Sequence, residues 1–222
     1  MKKSLVMVAS GLLASALVAG CGGGGASQSG GPSGSAAPGA ATLTVSAAAS
    51  LTDVFNQLGK TFESQNPGST VRFNYGGSSD LAQQIVNGAP ADVFAAANTS
   101  TMATVSKAGL VSGDPSVFVT NVLQIAVAPG DPKGIHTFAD LTKPDLKVVV
   151  CAPQVPCGSA AVQVEKATGV ALKPVSQEAD VRSALSKVST GDADAALVYV
   201  TDVKSSNGKV DGVDFPEAAK TL

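Results

Sequence analysis

The stretch "TLTVSAAASLTDVFNQL", residues 42–58, joins a strand pattern to a helix pattern through a run of small residues. Alternating apolar positions predict a β-strand over residues 42–47. Apolar residues then recur at helical spacing from Leu51 onward, which predicts an amphipathic helix. Ser50 and Asp53 fit a capping box at the start of that helix, with a hydroxyl at the N-cap and a carboxylate three residues later.

The rest of the chain repeats this alternation, which is typical of an α/β fold with a largely parallel sheet. Strands are predicted over residues 42–47, 70–75, 91–97, 122–130, 146–152 and 195–203, and helices in 51–66, 76–88, 100–107, 137–143, 158–168 and 178–191. The two groups of strands and helices meet near residues 120–123 without a long linker. We therefore expect two lobes that face one cleft, lobe 1 over residues 42–121 and lobe 2 over residues 122–222.

The first 41 residues have the pattern of an exported, anchored protein. Lys2 and Lys3 precede an apolar run from residue 5 to residue 18, which predicts a signal peptide over residues 1–20 rather than a membrane span. The run ends in "LVAGC", which resembles the lipobox of bacterial lipoproteins and implies that Cys21 is lipidated. The glycine- and serine-rich residues 21–41 predict a flexible tether. We expect a domain held by a lipid anchor on the extracytoplasmic face of the cell membrane.

Charge and cysteine usage agree with this location. The whole chain carries 15 Lys+Arg and 17 Asp+Glu; without residues 1–20, which contain two lysines and no acid, the formal charge is 13 − 17 = −4. No basic cluster is present in the sequence, so we do not expect a nucleic acid partner. Cys151 and Cys157 remain as an even pair in an oxidising compartment, which favours a disulfide over two free thiols.

Three junctions rich in small residues follow predicted strands and open predicted helices, at Ser50, at Ser78-Ser79 and at Cys157 with Gly158 and Ser159. A helix N-terminus presents unpaired N–H groups and the positive end of the helix dipole. Several such ends in one cleft form an anion site without a cationic side chain. Each junction alone is better explained as an ordinary helix cap.

Taken in order, five strings resemble the molybdate-binding proteins of bacterial ABC importers, over about residues 42–217. These strings are "SAAASLTDVF", "GGSSDLAQQI", "GAPADVFAAAN", "EADVRSAL" and "AALVYVTDV". The resemblance implies a two-lobe, type II periplasmic-binding-protein-like fold with the ligand cleft between the lobes. It also implies a monomeric receptor that binds molybdate, and tungstate as well, and delivers the anion to the membrane subunit of an ABC permease.

The resemblance implies a role for each of six positions around the anion. Ser50 and Ser78 match hydroxyl donors, Cys157 and Val181 match backbone N–H donors, and Tyr199 matches a phenol donor. Ala97 lines the site more weakly. No cofactor is expected, and the only metal is that of the oxyanion, which the same residues hold. Asp53 and Asp80 are expected to point away from the site.

A fully deprotonated tetrahedral dianion needs donors only, whereas a phosphate site also needs an acceptor for the proton of the ligand. The alternative within the same class is a receptor for another tetrahedral oxyanion, such as sulfate or phosphate. An enzyme is not expected, because His136 is the only histidine and no nucleophile has a recognisable base. A structural or adhesive lipoprotein would not need several helix N-termini in one cleft.

The chain departs from the family pattern in two places. A cysteine at position 157 is unusual there, although a backbone donor tolerates any small side chain, and a bond to Cys151 would shape the loop before the ligand binds. Family members also continue beyond "FPEAAKTL" with a strand that returns to lobe 1 and a final helix. We therefore expect lobe 1 to lack an edge strand and its cover.

Overall fold

Strands of small and β-branched residues form two sheets in the computed structural model, which describes residues 41–221. The first sheet has the order β2-β1-β3 and is parallel throughout. Its strands are β1 Thr42–Ala48, β2 Thr70–Gly76 and β3 Val93–Ala95. Val45 of the central strand lies opposite both Phe73 and Val93. The carboxyl ends of the three strands therefore meet at one edge.

The second sheet has five strands in the order β6-β5-β7-β4-β8. They are β4 Leu123–Val127, β5 Val148–Cys151, β6 Ser176–Glu178, β7 Ala195–Tyr199 and β8 Asp211–Val213. β5 runs parallel to β6 and β7, whereas β4 runs antiparallel to β7 and β8. The sheet is therefore mixed, as is common for large α/β sheets.

Six α-helices and three short 3₁₀ segments accompany the strands within residues 41–221. The helices are α1 Thr52–Gln65, α2 Ser78–Val86, α3 Thr99–Lys107, α4 Pro156–Thr168, α5 Val181–Ser189 and α6 Val200–Ser205, and the 3₁₀ segments are Ala49–Leu51, Ala139–Thr142 and Pro216–Thr221. All described strands up to residue 95 belong to the first sheet, and those from residue 123 onward belong to the second. We call residues 42–121 the N-terminal half and residues 122–221 the C-terminal half. The lobes and their boundary stay a prediction.

The main apolar core lies in the C-terminal half. β4, β5 and β7 are near-continuous apolar runs, which is typical of strands covered on both faces. Ile125, Leu197 and Val164 are at most 1% exposed, and each such side chain stabilises the fold by about 1.5–3 kcal/mol relative to an exposed position. In the N-terminal half, Phe55 of α1 packs edge-on against Phe73 of β2, with 6.4 Å between the ring centroids.

The structure corrects the predicted elements at two places in the C-terminal half. Glu178, the predicted start of the helix over residues 178–191, is the last residue of β6, and α5 begins only at Val181, after its N-cap Asp180. The strand predicted over residues 195–203 ends at Tyr199, and α6 follows directly. At β7, periodicity failed because the apolar run of the strand continues into the apolar positions of α6. At β6, three polar residues give no apolar alternation that would mark a strand.

The predicted signal peptide, Cys21 and nearly all of the tether lie outside the described residues. Among residues 41–221, no helix combines the length and the apolar character that a membrane span requires.

Candidate functional site

A small cavity lies where the carboxyl ends of the strands of both halves meet. It encloses about 210 Å³ of empty space, part of it open to solvent. Its lining comes from both halves and consists of Ala48, Ala49, Ser50, Gly76, Gly77, Ser78, Ala97, Val155, Pro156, Cys157, Asp180, Val181 and Tyr199. All six residues that the sequence predicted as ligand contacts are in this set. Ligands of α/β proteins collect at this edge of the sheets.

Helix N-termini dominate the lining. α2 begins at Ser78, α4 at Pro156, α5 at Val181, and α6 begins directly after Tyr199. The first N–H groups of each helix have no carbonyl one turn earlier to bond. The positive ends of four helix dipoles therefore lie around one small space, and they favour a negative charge there.

Ser78 and Ala97 are joined directly. The N–H of Ala97 donates to the hydroxyl oxygen of Ser78 at 3.0 Å. A serine hydroxyl has one proton to donate, so this bond occupies an acceptor position and leaves the O–H to donate elsewhere. Ser78 is 2% exposed. Ala97 thus supports the hydroxyl of Ser78, and its own N–H is already used.

Tyr199 is 7% exposed and forms the last residue of β7. Burial, and secondarily the carboxylate of Asp202, raise the pKa of its phenol well above the ordinary value. The phenol therefore keeps its proton at neutral pH and acts as a donor. The backbone N–H of Tyr199 is separately bound by Asp202, whose Oδ2 accepts it at 3.0 Å.

Val181 opens α5, and Asp180 is its N-cap. The carboxylate of Asp180 accepts from the N–H groups of Arg182 at 2.8 Å and Ser183 at 3.0 Å, and from the hydroxyl of Ser183 at 2.7 Å. These bonds use N–H groups at the next two positions of the helix. The N–H of Val181 is not among them, so it is the remaining backbone donor at this end of α5.

Cys157 lies in the first turn of α4 and is bonded to Cys151 at the end of β5, as predicted. Both cysteines are buried, at 3% and 1% exposed. Gly158 follows in very close contact with the same loop, because a Cβ there would overlap the carbonyl oxygens of Ala152 and Cys151. The disulfide and the glycine together hold the start of α4 against the cavity.

The predicted capping box at Ser50 is wrong. Ser50 lies in the 3₁₀ segment Ala49–Leu51, and α1 begins at Thr52 with no side-chain cap. The carboxylate of Asp53 instead pairs with the guanidinium of Arg182 in the other half. The small residues 47–50 allow a tight 3₁₀ turn, which moves the helix start two residues beyond the predicted cap.

Two further contacts join the halves beside the cavity. The hydroxyl of Ser79 donates to the carbonyl oxygen of Gln154 at 2.6 Å. Gly77 lies so close to Ala179 that a Cβ at position 77 would overlap the Ala179 carbonyl oxygen. Asp80 is exposed and does not line the cavity, in line with the expectation that it points away.

Sequence reasoning missed several lining residues, chief among them Asp180, Gly77 and Pro156. Asp180 carried a usable signal, because an aspartate followed by apolar helical spacing predicts an N-cap. No sequence pattern pointed to Gly77, because Ala179, which it approaches closely, lies far along the chain. Within residues 41–221, no group of three or more His, Cys, Asp or Glu side chains is placed to hold a metal ion.

Comparison with known proteins places the chain in a family. Residues 43–221 match the family described as bacterial extracellular solute-binding protein. The molybdate-binding protein ModA of Mycobacterium tuberculosis is 51% identical over 215 residues, which cover 96% of this chain and 81% of the relative. A protein of the same name from Haemophilus influenzae is 35% identical over 178 residues, covering 75% of this chain and 69% of the relative.

Two solved structures show the same fold. The periplasmic molybdate-binding protein of Azotobacter vinelandii superposes with a TM-score of 0.65 at 24% identity, covering 81% of this chain and 80% of the other. The sulfate-binding protein SubI of M. tuberculosis superposes with a TM-score of 0.68 at 21% identity, covering 79% and 71%. The predicted periplasmic-binding-protein-like fold is confirmed, and so is the prediction of a binding protein rather than an enzyme. The chain belongs to the family of bacterial extracellular solute-binding proteins.

Proposed function

We propose that this protein is an extracytoplasmic receptor that binds molybdate in the cavity between its two halves and delivers it to an ABC permease. The observation that carries the proposal is that the predicted donors from both halves line one cavity without a lysine or arginine in the lining. Relatives named molybdate-binding protein, at 51% and 35% identity, support the choice of anion.

The chemistry of the lining suits a tetrahedral dianion. The donors would be the hydroxyls of Ser50 and Ser78, the phenol of Tyr199 and the N–H groups of Cys157 and Val181. At a site partly shielded from solvent, such fixed dipoles interact more strongly with a charge than they would in water. The net charge of the chain is negative, so attraction would come from these local dipoles and not from the field of the whole protein.

A receptor for sulfate is the second candidate. A relative from Synechococcus elongatus named sulfate-binding protein favours it, at 32% identity over 154 residues, which cover 64% of this chain and 43% of the relative. Molybdate, tungstate and sulfate share charge and shape, so the size of the closed cavity would decide between them. We expect the same site to bind tungstate as well as molybdate.

Titration calorimetry with molybdate, tungstate, sulfate and phosphate tests the proposal. The expected result is tight binding of the first two anions and binding of sulfate and phosphate that is weaker by orders of magnitude. Equal or tighter binding of sulfate would replace molybdate with sulfate as the ligand. A protein that binds none of the four would overturn the proposal.

The proposal includes a location and an oligomeric state. Lipid on Cys21 would hold the receptor at the cell membrane, and residues 22–41 would let it reach the permease. A Cys21→Ala variant should appear in the soluble extracytoplasmic fraction, whereas the wild-type protein should partition with membranes. Light scattering of the protein that lacks residues 1–21 should give the mass of a monomer.

A further inference from the structure

One cation, that of Arg182, connects three helices that begin at or within two residues of a proposed donor. Arg182 is the second residue of α5, next to Val181, and its guanidinium pairs with the carboxylate of Asp53 in the N-terminal half. Its Nε lies 3.6 Å from Oδ1 of Asp202, in α6. Asp53 stands three residues after Ser50, and Asp202 binds the backbone N–H of Tyr199.

The Asp202 end of this chain of contacts is buried, and the Asp53 end is exposed. Asp202 is 0% exposed, and Arg182 is the basic side chain that faces it at ion-pair distance. The side chain of Arg182 is 29% exposed and that of Asp53 54% exposed. Arg182 therefore lies beside a buried carboxylate of its own half, and Asp53 reaches it from the other half next to residues that line the cavity.

From this arrangement we infer that Asp53 and Arg182 form a latch that holds the two halves together around the bound anion. Arg182 is a positioning residue. It does not line the cavity, and it acts by holding the N-terminal half in position next to Val181. The hydrogen bond from Ser79 to the Gln154 carbonyl crosses the same boundary and closes with it. The inference rests on the proposed function for the identity of the anion only.

The latch and simple electrostatic repulsion predict opposite effects on anion affinity when the carboxylate of Asp53 is removed. A carboxylate beside an anion site repels the anion, so its removal should tighten binding. If Asp53 instead holds the halves together, its removal opens the cleft and weakens binding. An exposed ion pair of this kind corresponds to about a two- to five-fold change in Kd.

The test compares Asp53→Asn with Asp80→Asn. Both residues are acidic side chains in the first turn of a helix that starts beside the cavity, but Asp80 makes no ion pair within residues 41–221. With molybdate as the probe, Asp53→Asn should raise Kd about two- to five-fold through a faster koff. Asp80→Asn should leave Kd unchanged or lower it. Asp53→Glu should restore most of the lost affinity.

Two controls separate the latch from other effects. Salt screens the exposed pair, so the difference in Kd between wild type and Asp53→Asn should shrink at about 1 M salt. Small-angle X-ray scattering reports closure directly, and the unliganded wild-type protein should be more compact than unliganded Asp53→Asn. This comparison needs no bound anion, so failure of the proposed function is recognised separately. The latch is overturned if Asp53→Asn binds as tightly as wild type or more tightly, or if scattering shows equal compactness.

Discussion

The N–H of Ala97 donates to the hydroxyl of Ser78 at 3.0 Å, and this bond decides how the serine can act. Because the oxygen accepts from Ala97, the hydroxyl proton is available to the cavity. The two residues lie 19 positions apart in the sequence, and they follow different strands, β2 and β3. The bond from the Ala97 N–H thus holds the Ser78 hydroxyl in place, as a preorganised anion site requires.

Ser78→Ala should therefore weaken molybdate binding strongly. The variant loses one hydrogen bond to a charged ligand, about 1.5–3 kcal/mol, which corresponds to about a 10- to 150-fold higher Kd. It also leaves the N–H of Ala97 without its partner. Calorimetry measures the effect, and Ser64→Ala is the control, since Ser64 is exposed and bonds only within α1. Equal affinity of Ser78→Ala and wild type would exclude Ser78 as a ligand contact.

The two tyrosines of the chain form a matched pair for testing the phenol donor. Tyr199→Phe keeps the ring but removes the buried O–H, so affinity for molybdate should fall by about tenfold. Tyr75→Phe should not change the affinity, because the Tyr75 hydroxyl donates to Asn56 at 2.9 Å. Because burial raises the pKa of the Tyr199 phenol, wild-type affinity should also show no loss from phenol ionisation at pH 10. A Tyr199→Phe variant with wild-type Kd would contradict this role.

Gly77→Ala should block closure of the halves. A methyl group there would overlap the carbonyl oxygen of Ala179 in the C-terminal half, and overpacking of this kind costs about 1–3 kcal/mol. Kd should rise about five- to 150-fold, while the melting temperature of the unliganded protein changes little. The control is Asn87→Ala, a change at an exposed residue of the same half that does not line the cavity. Similar losses in both variants would argue against a specific contact at position 77.

Asp202 should make stability depend on pH. Burial is the main cause that raises its pKa from 3.8 to about 6, against the lowering effects of the Tyr199 N–H and Arg182. A raised acid pKa means that the folded protein binds the proton more tightly, so this contribution to stability is complete below about pH 4 and is lost as pH rises through about 6. The loss amounts to at most about 3 kcal/mol.

Asp202→Asn should lack this decline. Its free energy of unfolding, relative to that of wild type, should increase by up to about 3 kcal/mol between pH 4 and pH 7, so the variant gains stability relative to wild type. Urea denaturation of the unliganded proteins at several pH values measures it. Asp114→Asn is a change at an exposed carboxylate. The difference in its free energy of unfolding from wild type should stay constant with pH. A constant difference between Asp202→Asn and wild type would show that Asp202 does not titrate in this range.

Local pattern predicted much of the fold, and its failures have separate physical causes. β1, β2 and α4 were found within two residues of their predicted bounds, because each has a clear period and a turn or cap at its ends. The capping box at Ser50 failed because a 3₁₀ turn competes with a helix start over a few small residues. The antiparallel pairing of β4 with β7 followed from no local signal, since strand direction depends on chain connections.

The sequence by itself determined the α/β alternation, the family and the set of small and polar residues that could bind an anion. Those properties are local, or arise from the order of motifs along the chain. Only the tertiary structure decided that Ser50, Ser78, Cys157, Val181 and Tyr199 surround one cavity, that Ala97 supports Ser78, and that Asp53 meets Arg182 instead of capping its own helix. Such contacts join residues that lie far apart in the chain, so they depend on how the sheets and helices pack and not on any short pattern.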